Sequence, residues 1–218
     1  MREISQDPES LVTRDRILKA AEFFFSEKGF EATSIRDITS EAGCNIAAVN
    51  YHFGSKEKLY ETLFRTTLSR LTELRVQRIT EVAERKDPPP SIEDVLDAFV
   101  RSFLEPLLNP TEGPRFIRIL QWEMLHPVLP KSLFSEEMIQ PTMEASVYAL
   151  KNACPGLQSP HLQLCMMSVV GQVFHLVHMQ GFFRDMKPEI IARLDLETLI
   201  RHVVTFSSAG IRRFTETC

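Results

Sequence analysis

Apolar residues recur at three- and four-residue spacing along nearly the whole chain, and no stretch alternates long enough for a strand. The pattern predicts an all-α protein cut into helices by a few glycines and prolines. The first helix is expected from about Ser10 to Lys28, with Leu11, Ile17, Leu18, Ala21, Phe24 and Phe25 on its apolar face and Gly29 as its stop. Thr33 or Ser34 then caps a short helix that carries Asp37 near its third position, turns Ile35, Ile38 and Ala42 inward, and ends at Gly43. Asn45 caps a helix from Ile46 to Phe53, which Gly54 ends. Ser55 caps the next helix, expected from Lys56 to about Arg85, some 45 Å at the helical rise.

"KDPPPS", residues 86–91, breaks the pattern, because three consecutive prolines cannot continue a helix. Ser91 with Asp94 opens a helix to about Leu108, and "NPTEGP" interrupts again. Residues 115–126 form the next helix, ended by Pro127 and Pro130. Another covers about 135–153, with Pro141 in its first turns or kinking it. After the loop "CPGLQSP", two long helices finish the chain, at about 160–183 and 196–214. These breaks suggest three parts: residues 1–55, a connecting helix at 56–86, and a helical domain at 87–218.

Residues 34–53 have the anatomy of a helix-turn-helix, two short helices joined by "AGCN". Ile46, Val49 and Phe53 share one face and are expected to pack on the first two helices. The opposite face presents Ala47, Ala48, Asn50 and Tyr51, where small side chains let the backbone approach base edges. Asn45 or Asn50 could bond bidentately to adenine. Tyr51, His52 and Lys56 are placed to reach phosphate oxygens, and Thr33 and Ser34 offer hydroxyls and N–H groups at a helix start. The charge balance limits this reading. The net charge is −4, and residues 1–60 carry eight Lys/Arg against ten Asp/Glu. A positive field must therefore come from a few placed cations and helix N-termini rather than from a basic domain.

The segment "AAEFFFSEKGFEATSIRDITSEAGCNIAAVNYHFGSKEKLYETLF", residues 20–64, resembles the DNA-binding domain of tetracycline-repressor-type (TetR) regulators. The matching positions are Gly29, Phe30, Thr33, Ser34, Ile35, Ile38, Ala42, Gly43, Tyr51, His52, Phe53, Lys56 and Leu59. Asn50 departs from the aromatic residue common in that family, and Cys44 from its valine. The resemblance implies a homodimer, double-stranded operator DNA with two half-sites, and a C-terminal helical domain that takes a small-molecule effector. It makes the chain a transcription regulator, expected to be a repressor released by an apolar or aromatic effector. The rival readings are an all-α enzyme with structural N-terminal helices and an effector-independent DNA-binding protein.

The helix at 160–183 is apolar on two stripes. One holds Leu162, Cys165, Met166, Val169, Val173, Leu176 and Val177; the other holds Leu164, Met167, Val170, Phe174 and Phe182. A helix apolar nearly all round is buried on two sides. With Gly171 allowing close approach, it is expected to pair with the last helix and with their copies as a four-helix bundle, through Val169, Gly171, Val173, Val177, Leu199, Val203 and Phe206. The ligand-lining candidates are Phe99, Phe103, Phe116, Trp122, His126, Met167, Phe174, His175 and His178, an aromatic and Met-rich set with a few polar groups. His175 and His178 lack a third ligand, so no metal or other cofactor is expected. No catalytic signature stands out. The four cysteines are scattered without a CxxC pair, which argues against a disulfide framework and suits a reducing cytoplasm. No run of about 18 apolar residues suggests a membrane span.

Overall fold

The computed structural model describes residues 8–108, 113–157, 161–186 and 195–214, except the side chains at 8, 107–108 and 178–186. Among these residues the regular structure is entirely helical, as the periodicity predicts. None of the helices is long and apolar enough to cross a membrane. The chain divides into two compact units. One holds residues up to Leu68 together with Pro114–Leu133; the other holds Ser69–Gly113 and the residues from Phe134 on.

The first unit is built on α1 (Pro8–Ala32), α2 (Ile35–Glu41), α3 (Ile46–Phe53), the start of α4 (Lys56–Ala83) and α6 (Gly113–Leu125). Ile17, Ala21, Phe25, Ile38, Val49, Leu59, Tyr60 and Phe64 form its core. Each large apolar side chain fully buried there contributes about 1.5–3 kcal/mol. Phe25 meets the edge of Tyr60 at 4.9 Å between ring centroids, and Phe64 lies 5.8 Å from Phe116 of α6. Gly29 breaks α1 with φ 74° and ψ 177°, as its position in the sequence suggests. A Cβ there would also fall 2.9 Å from Cδ2 of Trp122, so glycine is required both for the backbone and for the indole packed on it.

Residues 114–133 therefore pack with the first unit, whereas the sequence pattern ran 87–218 together. The contacts responsible are long-range. The Tyr60 hydroxyl donates to Oε2 of buried Glu123 at 3.0 Å, and Oε1 of Glu123 accepts from the N–H groups of Val128 and Leu129 at 2.9 and 2.7 Å. Burial and the adjacent Glu123 carboxylate push the Tyr60 phenol well above its ordinary value. Trp122 Nε1 donates to the Ser26 carbonyl at 3.4 Å.

The second unit takes the rest of α4, α5 (Ile92–Leu108), α8 (Gln140–Ala153), α9 (His161–Met186) and α10 (Leu196–Arg213). The short α7 (Lys131–Phe134) leads to a wide turn, Ser135–Ile139, in which the Gln140 N–H reaches the Ser135 carbonyl. The sequence pattern predicts one helix from 135. The widening comes just before Pro141, whose missing N–H removes an i→i−4 bond. α5 is central: Val95, Leu96, Phe99, Val100 and Leu104 are buried, and α5 packs on α8, α9 and α10. Arg101 of α5 bridges Asp97, Glu105 and Glu197, and Arg212 of α10 bridges Glu93. Cys44 and Cys165 are free thiols, while Cys154 is buried and disulfide-bonded, contrary to the expectation of wholly reduced cysteines.

Candidate nucleic-acid interface and ligand cavity

Three caps set the helix-turn-helix. Ser34 caps α2 in a reciprocal box: the Asp37 N–H donates to Ser34 Oγ at 3.1 Å, and the Ser34 N–H donates to the Asp37 carboxylate at 3.4 Å. The Ser34 N–H bond, helped by Lys28 at 3.5 Å, holds the Asp37 carboxyl below its ordinary range. The chain then turns at Gly43 with φ 60°, and the Cys44 N–H closes on the Thr39 carbonyl at 3.0 Å. Asn45 caps α3 by accepting from the Ala48 N–H at 2.9 Å. Gly54, with φ 83°, ends α3 after eight residues, and Ser55 accepts from the Lys58 N–H to start α4.

Val49 and Phe53 anchor α3 in the unit, with the Arg14 guanidinium 5.4 Å above the Phe53 ring. Ala47 and Asn50 are exposed, and Tyr51 is 79% exposed. His52 is half-buried and meets the edge of Tyr51 at 5.0 Å. Ala48 is half-buried, and Ser34 is exposed, its side chain engaged with Asp37. α3 thus carries an amide, a phenol and an imidazole at its tip beside small side chains.

Several expected residues are placed differently. Thr33 is only 2% exposed, and its hydroxyl donates to the carbonyls of Gly29 at 2.7 Å and Phe24 at 3.1 Å. It fastens the end of α1 instead of facing a phosphate. The side-chain oxygen of Asn45 is committed to its cap. The Lys56 ammonium lies over the Phe30 ring at 4.3 Å and reaches the Glu31 carbonyl at 3.5 Å, so it is drawn back onto the unit. Ile46 is 43% exposed, because the first residue of so short a helix lies beyond the reach of the core that takes Val49 and Phe53. Conversely, Arg36 in the first turn of α2 and Lys58 in the first turn of α4 are exposed cations that the sequence reading passed over. Their signal was position, each lying within three residues of a capping serine.

The ligand-lining set separates into two places. Phe116, Trp122 and His126 belong to the first unit. There Trp122 and His126 line a cavity of about 540 Å³ with Gly29, Phe30 and Tyr60. Phe99, Phe103, Met167 and Phe174 come together in the second unit around a cavity of about 330 Å³ that also takes Met138, Ile139, Thr142, Met143, Val170 and Gly171. The Phe99 and Phe103 rings lie 4.9 Å apart between centroids, tilted by 45°. His175 is exposed and does not line this cavity; the side chain of His178 lies outside the described residues. Among the described residues, no three His, Cys, Asp or Glu side chains gather as a metal site.

Behind Phe103 lies a group the sequence reading did not single out. Arg75 of α4 is 2% exposed, with its guanidinium carbon 3.5 Å from the Phe103 ring centroid. Its Nε and Nη1 have no hydrogen-bond partner, and neither do the buried hydroxyls of Thr72 and Thr142. Burial lowers the Arg75 guanidinium to about 9, which leaves it cationic at neutral pH.

The two stripes of α9 also resolve. Val169, Val173 and Val177, with Leu199 and Val203 of α10, are buried within the chain itself, so these expected interface residues are intramolecular core. The outward stripe is Leu164, Met167, Val170 and Phe174, with exposed Gly171 on the same helix; Phe206 of α10 is exposed near Cys165 and Gln172. Periodicity identified both stripes but not which one the chain covers with its own helices.

The description "Bacterial regulatory proteins, tetR family" matches residues 17–63. That of the C-terminal domain of the HTH-type transcriptional dual regulator CecR matches residues 92–211, more than half of the chain. The chain is 32% identical over 114 residues to the HTH-type transcriptional repressor NicS of Pseudomonas putida, covering 52% of this chain and 49% of that protein. It is 31% identical over 133 residues to the dual regulator CecR of Shigella flexneri, covering 59% and 58%. The matches thus span about half the length of these curated relatives. The crystal structure of a TetR-family transcription regulator from Marinobacter aquaeolei shares the fold, with a TM-score of 0.67 at 16% identity, covering 93% of this chain and 96% of that one. With its capped helix-turn-helix followed by a CecR-type helical domain, the chain belongs to the TetR family of transcriptional regulators.

Proposed function

We propose that this chain is a homodimeric, sequence-specific DNA-binding repressor released by a small, largely apolar effector. The observation that carries the reading is α3: an eight-residue helix, capped at both ends, whose Val49 and Phe53 are buried while Asn50 and Tyr51 stand in solvent. A helix that served only the core would not hold an amide and a phenol outward at that cost in ordering. Asn50 suits a base edge, and Tyr51, His52 and Ser34, with exposed Arg36 and Lys58, suit phosphates. Repression rather than activation is favoured by the relative NicS, a repressor by name.

The dimer forms through the outward stripe of α9 and Phe206 of α10, large apolar side chains that the chain itself leaves exposed. Met167, Val170 and Phe174 belong to both this face and the cavity lining, so pairing covers part of the cavity mouth. An effector that prefers one arrangement of this unit shifts the population of dimers whose α3 spacing fits successive major grooves. α4, which runs through both units, is the covalent route for that shift.

The test is a gel-shift titration of the full chain on the duplex that flanks its own gene, against an equal length of unrelated duplex. Retention of the flanking duplex under excess unrelated competitor, as a dimer-sized complex, supports the reading. Equal retention of both duplexes favours a non-specific binder, and no retention removes the reading.

A further inference from the structure

Among the described residues, the buried side-chain polar atoms without a partner all lie on three residues: Thr72, Arg75 and Thr142. Folded proteins leave few such atoms, and each calls for an explanation. Here they share a neighbourhood. Thr72 and Arg75 are one helical turn apart on α4, Arg75 stacks on Phe103, and Phe103 and Thr142 both line the 330 Å³ cavity. A water could satisfy the hydroxyls, but it would not balance a guanidinium charge taken out of solvent. Among the described residues no carboxylate pairs with Arg75, and burial is the influence on its titration.

We propose that Arg75 is the anion-binding residue of the cavity and takes the carboxylate of an apolar monoanionic acid, whose hydrocarbon body lies among Phe99, Phe103, Met138, Met143, Met167 and Phe174. A guanidinium presents a planar fork that matches a carboxylate in two parallel hydrogen bonds, and the Thr72 and Thr142 hydroxyls are further donors. Among the described residues, the cavity lining carries no charged side chain and one hydroxyl, that of Thr142, so a single cation meets a single anion. A phosphate dianion or a nucleotide-bearing thioester would bring more charge than the site can neutralise. Phe103 separates the guanidinium from the cavity as it stands, so acid binding includes displacement of that ring.

The inference rests on the effector reading above, and its test separates the two. Binding to the full-length dimer is measured by calorimetry with 2-naphthoate and decanoate, and with the neutral counterparts 2-naphthylmethanol and decan-1-ol. The wild-type protein is expected to bind at least one acid tenfold or more tighter than its alcohol. Arg75→Met is expected to weaken that acid at least tenfold and leave the alcohol within twofold, and Arg75→Lys to recover part of the loss. No binding of either acid, equal binding of acid and alcohol, or a preference that survives in Arg75→Met overturns the proposal. Without ligand, Arg75→Met is expected to melt no lower than wild type, since it removes an uncompensated buried charge. A large fall in Tm would make Arg75 a structural residue and also overturn the proposal. An acid that binds through Arg75 but leaves retention of the flanking duplex unchanged supports the anion site and refutes the effector reading alone.

Discussion

At the scale of single residues, Thr33 and Tyr51 show how one residue class divides between fold and function. Both are polar, and both were candidates to face DNA. Thr33 spends its hydroxyl on two carbonyls at the end of α1, whereas Tyr51 touches little besides the edge of His52. Opposite phenotypes are expected. Thr33→Val keeps the shape and removes both of those bonds, so it is expected to lower unfolding free energy by about 1–2 kcal/mol in urea titration. Tyr51→Ala is expected to leave the urea midpoint unchanged and to weaken retention of the flanking duplex by about 10- to 100-fold, the range of one or two lost DNA contacts. If Tyr51→Ala unfolds the protein, or binds as wild type, the assignment of that phenol to a DNA phosphate is wrong.

At the scale of elements, capping governs where helices begin, and in one case it makes stability depend on pH. α5 starts at Ser91, whose N–H and hydroxyl both donate to the Asp94 carboxylate while the Asp94 N–H donates back at 3.1 Å. Arg85 completes the cluster. Burial alone would raise the Asp94 carboxyl, but the Ser91 bonds and Arg85 outweigh it and hold the group below 3.8. The folded state therefore binds this proton more weakly than the unfolded chain. Its contribution is complete above about pH 4–5 and is lost as pH falls through the folded value. Asp94→Asn is expected to lower Tm near neutral pH and to show a smaller fall in Tm than wild type between pH 5 and pH 2, both read by circular dichroism. An acid limb of the same steepness in the variant would show that other carboxylates carry it.

At the scale of the whole molecule, the outward stripe of α9 and exposed Phe206 of α10 set the expected assembly. Phe206 is 66% exposed on a helix whose Leu199, Ile200, Val203, Val204 and Ile211 are covered by the chain itself. Phe206→Asp places a charge where a partner copy would desolvate it, and is expected to shift the protein from dimer to monomer in light scattering at micromolar concentration. Retention of the flanking duplex is expected to fall with it, because two half-sites must be engaged together. Val203→Ala, by contrast, opens a cavity beneath α10. It is expected to cost stability on the order of 1–3 kcal/mol without changing the dimer at temperatures where it stays folded. A dimer that survives Phe206→Asp intact would place the twofold elsewhere.

Most of what the sequence determined by itself is local. Gly29, Gly43 and Gly54 end their segments because left-handed or extended-reversed backbone is cheap only without a Cβ, and Ser34, Asn45, Ser55 and Ser91 begin theirs by accepting from the first-turn N–H groups. Such rules act within four residues, so helix order, the helix-turn-helix and the tip of α3 were all legible. The two apolar stripes of α9 were legible for the same reason, since periodicity depends only on the helix's own geometry. Only the tertiary structure decided which stripe is covered, because that depends on where α5 and α10 lie. It also drew α6 to the first unit through Trp122 on Gly29 and Glu123 on Tyr60, pairs more than sixty residues apart along the chain. And it left Arg75, unremarkable in a long polar helix, buried against Phe103 with no counter-charge. A side chain's partners are a property of the packed chain, and no local pattern encodes a partner that is missing.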